Sequence, residues 1–201
     1  MFIKRILDFS FSFIGLVIMI PVFFIIGILV KLKMPGPILF CQKRIGQNGN
    51  PFLMYKFRTM KVDHGGNTIS VKGEIRITPF GAVLRKYKLD ELPELFNVLK
   101  GDMSLVGPRP DVPGYADLLL DEDRLILKLK PGLTGPASLK YSNEEELLAN
   151  QSDPKNYNDT VIFPDKVRIN LNYYKHRSLL LDLKIILSTA LGKKLTEPWF
   201  N

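Results

Sequence analysis

The chain has 201 residues, 46% hydrophobic and 24% charged, which excludes a disordered chain and fits one domain with its own core plus a membrane segment. A formal net charge of +8 asks for an anionic partner: phospholipid headgroups, nucleic acid or a phosphorylated substrate. The single cysteine, Cys41, excludes an internal disulfide, so nothing in the chain calls for an oxidising compartment.

Residues 9–30 form an uncharged apolar run of about 22 residues, the length an α-helix needs to cross a hydrocarbon core. It outlasts the roughly 7–15-residue apolar region of a secretory signal, and no small-x-small cleavage pattern follows. Pro21 lies within it, and basic residues flank both ends, Lys4 and Arg5 before, Lys31 and Lys33 after. Because Lys and Arg gather on the cytoplasmic side, such flanks suit a helix broken at Pro21 that enters and leaves on one face, as well as an ordinary kinked crossing. Phe11, Phe13, Phe23 and Phe24 read as lipid-facing bulk.

Past Pro35-Gly36-Pro37, two β-like runs at 38–44 and 51–59 flank a Gly/Asn-rich turn at 46–50 and predict a hairpin. Residues 63–73 have loop composition. Thr78 is placed to cap a helix with Pro79 at its first position, running to about Tyr87, and another helix follows Pro93. Between residues 101 and 137, Gly and Pro set the backbone more than any periodicity does. Ser142 with Glu145 resembles a capping box before Leu147 and Leu148, and a helical pattern resumes near Asp165. In the last helix Leu179, Leu180, Leu183, Ile186, Leu187, Ala190 and Leu191 recur at helical spacing. Core packing is the expected use of that face, with docking on a membrane surface as the alternative. His64 and His176 are isolated, and no Cys/His pattern for a metal is visible.

The densest chemistry lies in residues 89–110. Pro93 should bias Leu92 away from helical geometry, leaving Asp90 and Glu91 at a bend where both carboxylates can aim at one spot. Acids at a helix start need no function beyond favouring its N-terminus. The cations that could share their pocket argue for more: Lys43, Arg44, Lys56, Arg58, Arg85, Lys86 and Arg109. Arg109 is framed by Pro108 and Pro110, whose fixed φ lowers the entropy its guanidinium loses on gripping phosphate oxygens. Lys56 and Arg58 alternate on an apparent strand and so share a face.

Taken together, Tyr55-Lys56-Phe57-Arg58-Thr59-Met60, Leu89-Asp90-Glu91-Leu92-Pro93, Leu95-Phe96-Asn97-Val98, Gly101-Asp102-Met103-Ser104, Gly107-Pro108-Arg109-Pro110, Pro131-Gly132-Leu133-Thr134-Gly135 and Asp182-Leu183-Lys184-Ile185 resemble the small monotopic phosphoglycosyl transferases. These bacterial sugar transferases prime glycan assembly on undecaprenyl phosphate, and the resemblance covers nearly the whole chain. It implies an α+β fold: residues 1–34 a re-entrant membrane helix broken at Pro21, and residues 35–201 a catalytic domain with a small hairpin, short helices at the membrane surface and an amphipathic C-terminal helix. The location it implies is the cytoplasmic face of the bacterial inner membrane. By the same resemblance Asp90 is the nucleophile and Glu91 its partner, with Mg²⁺ held beside both. Arg109, Arg85, Lys56 and Arg58 are the phosphate-binding candidates. The implied donor is a UDP-sugar and the acceptor polyprenyl phosphate, with anionic lipids around the site and no nucleic acid. A homodimer is left open, as are the sugar and the pathway.

Two positions depart from the family pattern: Ile20 precedes Pro21 where serine is common, and Asn170 stands ahead of Tyr173 where an acid is common. The segment 140–165 reads as an insertion near the sugar site. Two rival functions remain on the residues alone, a membrane-anchored basic binding module, and a metal-dependent phosphatase or nucleotidyl transferase using Asp90, Glu91 and Asp102 without a covalent intermediate.

Overall fold

The protein is described from a computed structural model covering residues 2–61, 76–193 and 195–200. The predicted loop at 63–73 lies outside the described residues. The fold mixes helices with two small sheets.

Helix α1, Phe2–Lys33, contains Pro21 within a continuous helical element. Among the described residues it is the one helix long and apolar enough to cross a membrane by length and composition. One stripe of it, Asp8, Ser12, Leu16, Ile26 and Val30, is buried against the rest of the protein, while Phe11, Phe13, Ile18, Ile20 and Phe24 stay exposed. Phe23 departs from the expectation of a lipid-facing ring: it packs edge-on against Phe96, centroids 5.9 Å apart, and lies 5.5 Å from Phe57.

Strands β1 (Leu39–Ile45) and β2 (Pro51–Phe57) form the expected antiparallel hairpin, with Leu39 opposite Phe57 and Ile45 opposite Pro51. Asn48 (φ 59°) and Gly49 (φ 81°) supply the left-handed backbone that reverses the chain. Helix α2, Pro79–Lys86, starts as read from the sequence: Thr78 Oγ1 accepts from Gly81 N at 2.9 Å and Pro79 opens the first turn. Helix α3, Glu94–Lys100, follows Pro93, and Gly101 ends it at φ 99°.

The breaker-rich region holds a pair the sequence did not announce, β3 (Ser104–Val106) and β4 (Gly132–Thr134), in parallel register. The glycines make the pairing possible. A Cβ on Gly132 would lie 2.1 Å from Gly107 N, and one on Gly135 2.1 Å from Gly107 O. Around this pair Val106, Ala137, Ile169, Tyr173, Leu181 and Ile185 form the main core, and Ile26, Val30, Met34, Phe57 and Leu84 form a second beneath α1.

Helices α4 (Pro136–Lys140), α5 (Glu144–Ala149), α6 (Pro154–Tyr157), α7 (Phe163–His176) and α8 (Leu179–Leu191) complete the domain. Ser142 is not the cap of α5; Asn143 holds that position, with no side-chain capping bond. A π-helical turn at Asn158–Ile162 leads into α7, which starts two residues before Asp165. The expected core role of the α8 leucines is overturned. Leu181 and Ile185 are buried, whereas Leu179, Leu180, Leu183, Leu187 and Leu191 are exposed. Core packing takes one narrow stripe of α8 and leaves a leucine face uncovered.

Candidate active site

Asp90 and Glu91 fall in a 3₁₀ turn, Leu89–Glu91, between α2 and α3. Lys88 turns the chain into it with left-handed backbone at φ 55°, uncommon for a residue bearing a side chain. Leu92, against the pre-proline expectation, is right-handed helical (φ −53°, ψ −38°). Its N–H donates to Leu89 O at 3.3 Å and its carbonyl accepts from Leu95 N at 3.1 Å, so continuous winding into α3 outweighs the clash preference.

Asn97 locks α3 onto the hairpin. Its Nδ2 donates to Leu53 O at 2.7 Å and its Oδ1 accepts from Tyr55 N at 3.1 Å, satisfying two backbone groups of β2. That bridge sets Lys56, the next residue on β2, against the acids. Lys56 Nζ lies 2.8 Å from Glu91 Oε1 and 3.2 Å from Glu94 Oε1, and Arg109 Nη2 meets Glu91 Oε1 at 2.5 Å. Asp90 is buried, and its Oδ1 has no hydrogen-bond partner.

The two neighbouring acids are tuned in opposite directions. Burial pushes the Asp90 carboxyl above its ordinary value, with Lys56 opposing and Glu91 reinforcing the rise. Burial also pushes Glu91 upward, but Arg109 and Lys56 overcome it and hold that carboxyl well below the usual carboxylate range. Adjacent carboxylates with such opposed environments are a known mark of divided chemical labour.

These groups line one cavity of about 1960 Å³, together with Arg44, Arg85 and Asp111. Arg85 faces it from α2 and is ion-paired with Glu145 of α5; Lys166 of α7 meets Glu144 at 2.6 Å. Two of the three glutamates of α5, Glu144 and Glu145, thus pair with cations that line the cavity from other helices. Arg58 also borders the cavity, but its guanidinium donates to Pro35 O at 2.9 Å and to Met34 O. Two of its N–H groups are thus spent fastening the end of α1 to the hairpin. Asp102 lies past the far end of α3, paired with Lys100 at 3.0 Å, and does not join Asp90 and Glu91. The rival three-carboxylate metal site accordingly lacks its third member. His176 stacks on Trp199, away from the acids.

The sequence reading missed Glu94 and Asn97. Their signal was present in their spacing, because Asp90, Glu94 and Asn97 recur at four and three residues and so fall on one side of a continuously wound segment.

A buried carboxylate facing a cavity ringed by arginine and lysine is suited to attack on a phosphorus centre, with cations to receive the displaced phosphate charge. Known proteins similar to this chain are named for sugar-phosphate transfer. The chain belongs to the bacterial sugar transferase family, whose model matches residues 1–193. It is 45% identical over 149 residues to a Bacillus subtilis (strain 168) protein provisionally named an undecaprenyl-phosphate N-acetylgalactosaminyl 1-phosphate transferase, covering 71% of this chain and 79% of that one. It is 36% identical over 193 residues to the UDP-N-acetylgalactosamine-undecaprenyl-phosphate N-acetylgalactosaminephosphotransferase of Aeromonas hydrophila, covering 94% of this chain and 43% of that one. With the UDP-glucose:undecaprenyl-phosphate glucose-1-phosphate transferase of Xanthomonas campestris pv. campestris it shares 37% identity over 201 residues, 95% of this chain and 39% of that one. The chain thus spans less than half the length of the last two.

Proposed function

We propose that this protein transfers a sugar 1-phosphate from a UDP-sugar to undecaprenyl phosphate at the cytoplasmic face of the bacterial inner membrane, giving undecaprenyl-diphosphate-sugar and UMP. The observation that carries the reading is the buried, partly unpartnered Asp90 beside Glu91, Lys56 and Arg109 in a cavity that Arg85 also lines. A basic binding module would need none of this arrangement, since its cations could lie anywhere on the surface.

In the first step an Asp90 carboxylate oxygen attacks the sugar-bearing phosphorus. The P–O bond to the UMP leaving group breaks, leaving an aspartyl phosphosugar. In the second, an oxygen of undecaprenyl phosphate attacks the same phosphorus and the Asp90–phosphorus bond breaks, restoring the carboxylate. Lys56, Arg85 and Arg109 bind the donor phosphates and receive the charge that builds on the leaving oxygen. Arg85 must exchange Glu145 for phosphate to do so. Asp90 and Glu91 offer hard oxygens, one of them without a partner, which fits the two-carboxylate-plus-phosphate binding of Mg²⁺. When bound there, the ion supplies charge neutralisation between the carboxylates and the diphosphate.

The membrane geometry supports a re-entrant α1 with both ends on one face. Near its start, Arg5 donates to Val98 O at 2.6 Å and Leu99 O at 2.7 Å, and Asp8 accepts from Ser104 Oγ at 2.8 Å and Leu105 N at 3.0 Å. Near its end, Ile26, Val30 and Met34 pack with Phe57 and Leu84 of the same domain. A helix that ended on the opposite side of the bilayer would carry one of these ends about 30 Å from the domain. The exposed α8 leucines extend the lipid-facing surface, since Lys4 Nζ meets Asp182 Oδ2 of α8 at 2.5 Å.

The test is UMP release from a panel of UDP-sugars by protein in undecaprenyl-phosphate-containing vesicles with Mg²⁺. Wild type should turn over at least one donor, and Asp90→Asn should lose about 10³-fold or more in kcat. Full activity in Asp90→Asn would remove Asp90 from the chemistry.

A further inference from the structure

Glu94 opens α3 one helical turn beyond Asp90, and at 2% exposure it is the most deeply buried carboxylate of the site. Its Oε1 lies 3.2 Å from Lys56 Nζ, an ion pair, and has no other partner among the described residues. Burial raises its carboxyl above the ordinary value and Lys56 is the first influence opposing that rise, as a buried carboxylate needs a nearby charge to stay ionised. The compensation comes from Lys56, which stands between two carboxylates, 2.8 Å from Glu91 Oε1 on one side and Glu94 on the other. Glu91 Oε1 already takes the Arg109 guanidinium at 2.5 Å. Without Glu94, only Asp90 and Glu91 would attract the ammonium, and the Glu91 oxygen that it meets is one that a second cation occupies.

We infer that Glu94 is a positioning residue for the transfer reaction, holding the Lys56 ammonium between Glu91 and Glu94 so that it stays beside Asp90 and can meet a donor phosphate. This rests on the function proposed above. Glu94 acts through Lys56 and needs no contact with substrate. The register that makes it possible is set one turn along α3, where Asn97 fastens β2 on either side of Met54 and places Lys56 next in line.

The experiment is a double-mutant cycle on UMP release, Glu94→Gln and Lys56→Met singly and together, with acetylation of Lys56 by an amine-reactive ester measured on the donor-free protein by mass spectrometry. Glu94→Gln, nearly isosteric, should lower kcat/KM about tenfold in the wild-type background and by less than about twofold in the Lys56→Met background. Acetylation of Lys56 should be several-fold faster in Glu94→Gln, because the ammonium is no longer held from both sides. Equal losses in the two backgrounds, or no loss in either, would overturn the inference, as would an unchanged acetylation rate. If wild type releases UMP from no donor, the transferase reading fails, and the acetylation rate still decides whether Glu94 holds Lys56.

Discussion

At the scale of single residues, the cavity sorts its acids by what faces them. Asp111 sits across from Lys166 and Arg44, yet burial dominates and pushes its carboxyl up to about 6 from 3.8. For an acid raised in the folded state, the folded protein holds more protons than the unfolded chain between those two values, so stability falls as pH rises through that window. Asp111→Asn should flatten the pH dependence of the melting temperature between about 4 and 6 and add up to about 3 kcal/mol at neutral pH. Thermal unfolding across pH reads both, and an unchanged slope would contradict the burial argument. Glu91 has the opposite sign. Its depressed carboxyl contributes stability above the unfolded value that is lost as pH falls through the acid range. Asp90 and Glu91 were legible in the sequence because they are adjacent and embedded in a distinctive motif, and Arg109 because two prolines frame it. Arg58 was legible as a cation bordering the cavity, but its contacts were not. Alternation along a strand gives the face of a side chain, not its partners, and the carbonyls of Met34 and Pro35 that take its guanidinium belong to another element.

At the scale of elements, two devices hold the site. The first is the Asn97 bridge from α3 to β2, buried at 0% exposure. Asn97→Ala leaves Tyr55 N and Leu53 O without these partners and should cost about 2–4 kcal/mol, counting a penalty of roughly 1–3 kcal/mol for each unsatisfied group in part relieved by water. Chemical denaturation measures it, and a loss under about 0.5 kcal/mol would show that the bridge is not needed. The second is the close approach of β3 and β4. Gly132→Ala places a Cβ 2.1 Å from Gly107 N and should destabilise by about 1–3 kcal/mol or more, since backbone on both sides must shift. The hairpin, α2 and its Thr78 cap were all readable, because each is fixed by neighbours in the chain. The parallel pair was not. Its partners are separated by 28 residues, Ser104 facing Gly132, and three-residue strands carry too little periodicity to register.

For the whole molecule, the main question is how a phosphate-handling cavity is kept at the level of a lipid-borne acceptor. Helix α1 packs on α3, with Arg5 at Val98 and Leu99, Gly15 near Leu95, and Phe23 against Phe96. The membrane segment and the helix that follows Asp90 and Glu91 are thus one packed unit. The sequence showed an apolar run and its basic flanks, but not which stripe of α1 would turn inward, because Asp8 acquires its reason only from β3. The uncovered leucines of α8 predict a second hold on the bilayer. Replacing Leu183 and Leu187 by Asp should leave the melting temperature in detergent within a few degrees and shift the protein measurably from the vesicle to the soluble fraction in flotation at high salt. Unchanged flotation would assign membrane attachment to α1 alone.

The central claim, that Asp90 carries the phosphosugar between donor and acceptor, is tested most directly by incubating the protein with UDP-sugars and Mg²⁺ in the absence of undecaprenyl phosphate, followed by peptide mass spectrometry. The result expected is a phosphosugar mass added to the peptide bearing Asp90, absent from Asp90→Asn and discharged when undecaprenyl phosphate is supplied. If wild type forms no adduct with any donor yet releases UMP once the acceptor is present, transfer is direct and Asp90 is not the nucleophile.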